Sequence, residues 1–156
     1  MKNIKFLNSN DIFIIEEFIF REGKNFSHLS QLGWTINEIE NHLKKNNNYT
    51  LGFFSRNILN AILISQTNKI LESYELELML IYVEKNLRRK KIASKLFKFI
   101  EADKNLSKVY LEVSDKNKEA INFYEKNNFV FLNFRHNYYK YNNETFNARC
   151  YQKIYK

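Results

Sequence analysis

An apolar run, Leu76-Glu77-Leu78-Met79-Leu80-Ile81-Tyr82-Val83, is followed closely by four consecutive cations, Arg88-Arg89-Lys90-Lys91. The cations open a segment in which Ile92, Leu96, Phe99 and Ile100 fall on one helical face. A strand, a basic turn and an amphipathic helix in that order bury their apolar faces only in a layered structure of sheet and helices. The turn carries its own conflict. A helix N-terminus holds partial positive charge, so four cations there oppose the dipole. Free N–H groups at a helix start, with cations beside them, suit a phosphate. A solvated basic turn is the ordinary alternative, and this segment alone does not choose between the two.

The rest of the chain supplies further strands and helices. Asn3 to Leu7 reads as a first strand, and Asn8 or Asn10 as the cap of a helix carrying Phe13, Ile14, Phe18 and Ile19. Arg21 to Gly33 reads as an irregular connection. Thr35, with Glu38 three residues on, forms a capping box for a helix holding Ile36, Ile39 and Leu43. Tyr49 to Phe54 and Ile58 to Gln66 are strands joined by a turn at Ser55-Arg56-Asn57. Glu72 to Val83 is a longer strand, and the helix after the basic run ends near Asp103. Val109 to Val113, Phe129 to Phe134 and Thr145 to Tyr155 read as strands, and Asn117 to Asn127 as a helix. Strands pair in succession first and then alternate with helices, which favours a mixed sheet flanked by helices. No repeat or linker divides residues 1–156, so the expectation is a single domain. Ligand sites in such sheets lie outside the carboxyl ends of parallel strands, where the basic run sits.

Composition narrows the class more than the function. Hydrophobic residues make up 44% of the chain, which excludes a disordered segment. The net charge of +8 allows an acidic ligand, nucleic acid or a ribosomal neighbourhood. The excess is mostly lysine spread along the chain, beside abundant Asn, Ile, Phe and Tyr. Those residues share A/T-rich codons, so coding bias competes as a cause. Cys150 is alone, which leaves no intrachain disulfide, and a buried strand position is expected for it. His28, His42 and His136 lack metal-ligand spacing, so no metal is expected. No signal-peptide core or membrane-spanning run is evident, and the expected location is cytoplasmic, with no membrane partner.

Two residues carry candidate chemistry. Strand alternation sets Val109, Leu111 and Val113 on one face and Tyr110, Glu112 and Ser114 on the other. A glutamate within an apolar strand, if taken out of water, becomes a usable general base near neutral pH. The ordinary reading is an exposed Glu on a half-buried strand. Tyr124 follows Ala120 and Ile121 on the inward side of its helix, and its phenol could protonate a leaving group. A core aromatic is the ordinary reading there. Asn117 reads as a helix cap, and Asn128 as a left-handed residue ending the same helix.

Together these segments resemble the GNAT N-acetyltransferases, specifically the RimI type. The order is strand, Arg-rich loop and helix, then Leu111-Glu112-Val113, Asn117, Ala120-Ile121-x-x-Tyr124-Glu125 and Asn128-Phe129. Arg135-His136-Asn137-Tyr138-Tyr139 is near the family's Arg-Arg-Asn-Tyr-Tyr, and Trp34-Thr35 stands where the family shows Trp-Ser before a helix. The likeness covers residues 26–151 and is strongest from Ile81 to Tyr139. It implies an α+β GNAT fold: a central mixed, largely antiparallel sheet of about six to seven strands, splayed in the middle and flanked by about four helices. It implies acetyl-CoA as cosubstrate and transfer to an α-amine, with no metal. The cofactor would meet Ile81, Tyr82 and Val83, the loop Arg88, Arg89, Lys90, Lys91, Ile92 and Ala93, and Asn117. Glu112 matches the general base and Tyr124 the general acid. Trp34, Arg135, Asn137, Tyr138 and Tyr139 match the acceptor side. The implied acceptor is a protein N-terminus, the N-terminal alanine of a small-subunit ribosomal protein. No direct nucleic-acid contact is expected, and the chain is expected to be a monomer or weak dimer.

The sequence departs from the family at Lys91, where the loop has Gly, and at Lys140, where Pro is usual. Lys91 in a helical conformation would not itself demand Gly. Two other functions stay open: a GNAT acetylating a lysine side chain, a polyamine or a small molecule, and a non-catalytic basic module that binds the ribosome.

Overall fold

The computed structural model describes residues 3–31, 33–141 and 143–155. Its strands are β1 (Ile4–Leu7), β2 (Asn48–Ser55), β3 (Ile58–Ile70), β4 (Ser73–Val83), β5 (Leu106–Ser114), β6 (Val130–Tyr141) and β7 (Glu144–Ile154). They form one sheet in the order β1-β2-β3-β4-β5-β7-β6. Neighbours are antiparallel except β4 and β5, which run parallel across the helix that joins them. The helices are α1 (Ile12–Glu22), α2 (Lys24–Gln31), α3 (Ile36–Leu43), α4 (Ile92–Glu101) and α5 (Lys118–Lys126). This is the mixed, largely antiparallel α+β sheet expected.

Differences from the expected elements have local causes. Helix α2 lies inside the span read as irregular, of which Leu32 falls outside the described residues. Its sequence is polar and a weak helix former. Phe26 holds it, fully buried with its ring 5.0 Å from that of Tyr82; tertiary packing outweighs propensity in so short a helix. In α1 the inward stripe is Ile15, Phe18 and Glu22, and Phe13 is 77% exposed. In α4 the buried stripe takes Phe97 rather than Phe99. Thr35 caps α3 by accepting from the Glu38 amide at 3.2 Å. The turn at Arg56 and Asn57 has both residues at positive φ, as a two-residue hairpin of matching twist requires. Asn128 is left-handed (φ 63°) and Cys150 is buried on β7, both as expected.

Two apolar clusters cover the two faces of the sheet. One joins Leu76, Leu78, Val109, Leu111 and Val113 to α4 and α5. The other joins Ile62, Ile64, Leu80 and Tyr82 to α1, α2 and α3. Strand β4 contributes to both because it contains a bulge. Against β3, Ile64 pairs with Leu80 and Ser65 with Leu78, which leaves Met79 without a partner. The extra residue inverts the alternation. Leu76 and Leu78 face α4, whereas beyond the bulge Ile81 and Val83 take that side. A bulge also bends and twists its strand. Pairing between β4 and β5 runs from Tyr74–Leu106 to Leu78–Leu111 and stops there, although β4 continues to Val83 and β5 to Ser114. The sheet is therefore splayed in its middle.

Candidate active site

A pocket of about 400 Å³ lies where β4 and β5 part. Glu77, Leu78 and Met79 line it from β4, Tyr110 and Glu112 from β5, Tyr138, Tyr139 and Lys140 from β6, and Gly33 and Trp34 from the segment before α3. Alternation along β5 holds Glu112 here: Val109, Leu111 and Val113 are buried under α4 and α5, so Tyr110 and Glu112 emerge on the opposite face.

The Glu112 side chain is 14% exposed, and its Oε1 accepts from Arg135 Nη1 at 2.5 Å. The Arg135 guanidinium in turn lies over the Tyr138 ring, 4.1 Å from its centroid. The Tyr139 hydroxyl donates to the backbone carbonyl of Glu112 at 3.3 Å. Burial, and secondarily the Glu112 carboxylate, raises the Tyr139 phenol above its ordinary value. Asn137 does not line the pocket. It sits at positive φ (53°), its amide donating to Asn147 Oδ1 at 3.1 Å and its Oδ1 accepting from Thr145 at 3.1 Å. Its visible part is to shape the irregular β6–β7 ladder that carries Arg135 and Tyr139.

Tyr124 lies on the other face of the sheet. It is 6% exposed and packs edge-on against Phe97 and Phe129, at 6.3 and 5.6 Å between centroids. Burial first, and the Tyr139 phenol second, push its pKa above the ordinary value, so the hydroxyl keeps its proton at neutral pH. Asn117 caps α5: its Oδ1 accepts from the Ala120 amide at 3.1 Å.

The basic run forms the entry to α4. Arg88 is extended, whereas Arg89 (φ 64°) and Lys91 (φ 61°, ψ 19°) are left-handed. Lys91 thus takes not a helical conformation, in which glycine would not be demanded, but the left-handed one that favours glycine. It is the N-cap of α4 and makes no side-chain cap bond. The first helical bond is Lys95 N–H to the Lys91 carbonyl, 3.0 Å. The amides of Ile92, Ala93 and Ser94 therefore have no acceptor within the helix. All four cations are exposed. Arg88 turns back, its Nε donating to the Val83 carbonyl at 3.1 Å and its guanidinium 5.3 Å from the Tyr82 ring centroid. Ile81, Tyr82 and Val83 lie beyond the last β4–β5 pair and have no β5 partner. An uncapped helix start among four cations, beside a strand edge without a ladder partner, fits a phosphate-bearing ligand with an extended arm.

A further carboxylate joins the pocket that the sequence did not single out. Glu77 accepts from the Tyr110 hydroxyl at 3.1 Å and from Gln66 Nε2 at 2.7 Å. Burial, then Glu77, pushes the Tyr110 pKa up to about 12. The one signal for it in the sequence is a carboxylate within the otherwise apolar run Leu76 to Val83.

The model of the acetyltransferase (GNAT) family matches residues 13–129. The chain belongs to the GNAT acetyltransferase family. Membership makes it an acetyl-CoA-dependent N-acetyltransferase. Among solved structures it is similar to the ribosomal-protein-S18-alanine N-acetyltransferase of Escherichia coli, with a TM-score of 0.78 and 19% identity over 97% of this chain and 92% of that one. It is similar to Arabidopsis thaliana NAA60 in complex with a bisubstrate analogue, with a TM-score of 0.74 and 15% identity over 97% of each chain. An N-acetyltransferase from Staphylococcus aureus Mu50 gives 0.76 and 21%, over 97% of this chain and 96% of that one. At these identities the likeness is one of fold. No curated protein matches the chain in sequence.

Proposed function

We propose that this GNAT enzyme acetylates the N-terminal α-amine of a protein, in the manner of the RimI type, with a ribosomal N-terminal alanine as the acceptor. One observation carries the proposal: Glu112 and Tyr124 stand on opposite faces of the sheet, and Glu112 lies just past the last β4–β5 pair, in the pocket where the strands separate. An amine arriving from the Glu112 face and a thiolate leaving on the Tyr124 face need that arrangement.

In this reading the unbonded amides of Ile92, Ala93 and Ser94, with Arg88 to Lys91, hold the pyrophosphate. The free edge at Ile81 to Val83 takes the pantetheine arm, and Asn117, its carbonyl oxygen engaged in the cap, offers its amide NH2. Acetyl-CoA supplies an acyl group activated as a thioester. Glu112 takes a proton from the incoming ammonium, whose pKa of about 8 asks little of the base. Tyr124, holding its proton, gives it to the departing sulfur. A backbone N–H at Val83 stabilises charge developing on the carbonyl oxygen. Trp34, Tyr138 and Tyr139 line the acceptor pocket, and Arg135 occupies the base until an ammonium competes for it. The Arg135-His136-Asn137-Tyr138-Tyr139 segment supports the RimI type.

Glu77 favours a second reading. Its two hydrogen bonds come from neutral donors and, among the described residues, it forms no ion pair, so the pocket holds a carboxylate whose charge no side-chain cation offsets. That suits a polyamine or a lysine side chain. Thiol release from acetyl-CoA, measured with short peptides of varied first residue and with spermidine, separates the two. Ala-first peptides turning over fastest supports the proposal; spermidine or lysine side chains reacting in their place overturns it. Glu112→Gln should lower turnover by about 10²- to 10⁴-fold at neutral pH and recover in part at higher pH as free amine increases. An unchanged rate removes Glu112 from the mechanism.

A further inference from the structure

Glu22 ends α1 and is 6% exposed, a carboxylate at the negative end of a helix dipole. Glutamate is rarely so buried without a partner. Among the described residues it forms no ion pair. Its Oε2 instead accepts two neutral donors, the Tyr82 hydroxyl at 2.7 Å and the Lys85 amide at 3.1 Å. Neither helix propensity nor the apolar core of that face asks for this residue.

The two donors bracket the junction where β4 ends and the basic loop begins. Lys85 opens the 3-10 turn Lys85–Leu87, whose own N-cap, Glu84, makes no side-chain cap bond. Glu22 caps that turn from another helix. Tyr82 carries the Arg88 guanidinium on its ring, and Arg88 holds the Val83 carbonyl. Beside it, Arg21 reaches Glu84 at 3.6 Å, and Asn60 donates to Glu84 at 2.9 Å. The last turn of α1 is thus bonded to every residue from Tyr82 to Lys85 except Val83, which Arg88 holds.

We infer that Glu22 is a positioning residue for cofactor binding: its carboxylate fixes the base of the Arg88–Lys91 loop and, through Tyr82, the place of Arg88. The inference rests on the reading of that loop as the pyrophosphate site. A carboxylate serves where an apolar residue cannot, because one oxygen must accept from a backbone amide and a phenol together.

The test is calorimetric titration of the purified protein with coenzyme A, with thermal unfolding of each variant beside it. Glu22→Ala should weaken coenzyme A about tenfold, and Glu22→Gln, which keeps an acceptor oxygen, should stay within about threefold of wild type. Tyr82→Phe, which removes one donor and keeps the ring, should fall between them. A merely structural Glu22 would lower the unfolding temperature of Glu22→Ala and leave its coenzyme A affinity within twofold of wild type, and that result overturns the inference. If Glu22→Ala does not fold, Tyr82→Phe decides: unchanged affinity overturns it and a loss supports it. Wild-type protein that does not bind coenzyme A overturns the loop reading, and the role of Glu22 with it.

Discussion

Replacing Lys91 with glycine should leave the enzyme slightly more stable and no worse at binding its cofactor. Lys91 holds φ 61° and ψ 19° at the N-cap of α4. A Cβ in that conformation costs roughly 1–2 kcal/mol through its approach to the following carbonyl. Glycine removes the strain but loses more backbone freedom on folding, by about 0.4–1 kcal/mol. The net gain is therefore about 0–1.5 kcal/mol, a rise in Tm of up to about 5 °C for a chain of this size. The change also deletes one exposed cation, and such a charge is worth about 0.2–1 kcal/mol to a nearby anion. Removing the Cβ also lets a phosphate approach the loop backbone more closely, which offsets the lost charge, so coenzyme A should bind as well as before or more tightly. Lys91→Ala separates the two effects, since it deletes the charge and keeps the strained Cβ. Scanning calorimetry should show a higher Tm for Lys91→Gly than for Lys91→Ala, and isothermal titration should show Lys91→Ala binding less tightly of the two. A loss of affinity beyond about tenfold in both variants would mean that the ammonium itself holds the phosphates. A Tm for Lys91→Gly below that of Lys91→Ala would refute the strain argument.

Tyr124→Phe should lower kcat by about 10- to 100-fold and leave coenzyme A affinity within about twofold, because the ring keeps its packing against Phe97 and Phe129 while the proton donor is lost; pre-steady-state thiol release at an unchanged rate would refute this. Glu77→Gln should raise KM for acceptors carrying a second ammonium and spare those with one, as competition between spermidine and an Ala-first peptide can show; equal effects on both would discard Glu77 as a cation contact. His42 is 3% exposed, with Nε2 3.1 Å from the Ser65 carbonyl, and burial lowers its pKa below 6.5 against the raising effect of that bond. The fold favours the neutral ring, so its contribution is whole above pH 6.5 and is lost as pH falls through the lowered folded value. Denaturant melts should show wild type losing more stability than His42→Gln between pH 7 and 5; parallel losses would exclude His42 as the cause.

The parts of the fold written in local chemistry were legible in the sequence. Val109 to Val113 alternates because one side of β5 lies under α4 and α5, and Glu112 therefore had to face away. Asn117 and Thr35 cap helices because each stands before an apolar stripe. The helix α2 was not legible, since Phe26 seats itself against Tyr82, a residue far along the chain. Neither was the partner of Glu112: Arg135 belonged to a recognised motif, but only the β6–β7 ladder brings it to the carboxylate. Glu22 gave no local sign, because its donors sit on β4 and in the turn beyond it.

The bulge at Met79 shows why the site itself was hidden. Leu76, Leu78, Leu80 and Tyr82 are all buried, and the residues between them are all half-buried. Read as a string, that is one unbroken alternation with one inward face. Yet Leu76 and Leu78 belong to the core under α4, and Leu80 and Tyr82 to the core under α1. A strand in a single-layer sheet would betray such a slip, because apolar side chains would emerge into water after it. Here both faces are covered, so an apolar residue is equally at home on either side of the slip and the pattern survives it. The same inversion sends Tyr82 toward Glu22 and turns Ile81 and Val83 to the α4 side, while the strand bends away from β5. One unpaired residue thus opens the sheet, sets the Glu112 pocket on one face and the basic helix start on the other, and leaves no mark on the hydrophobic period.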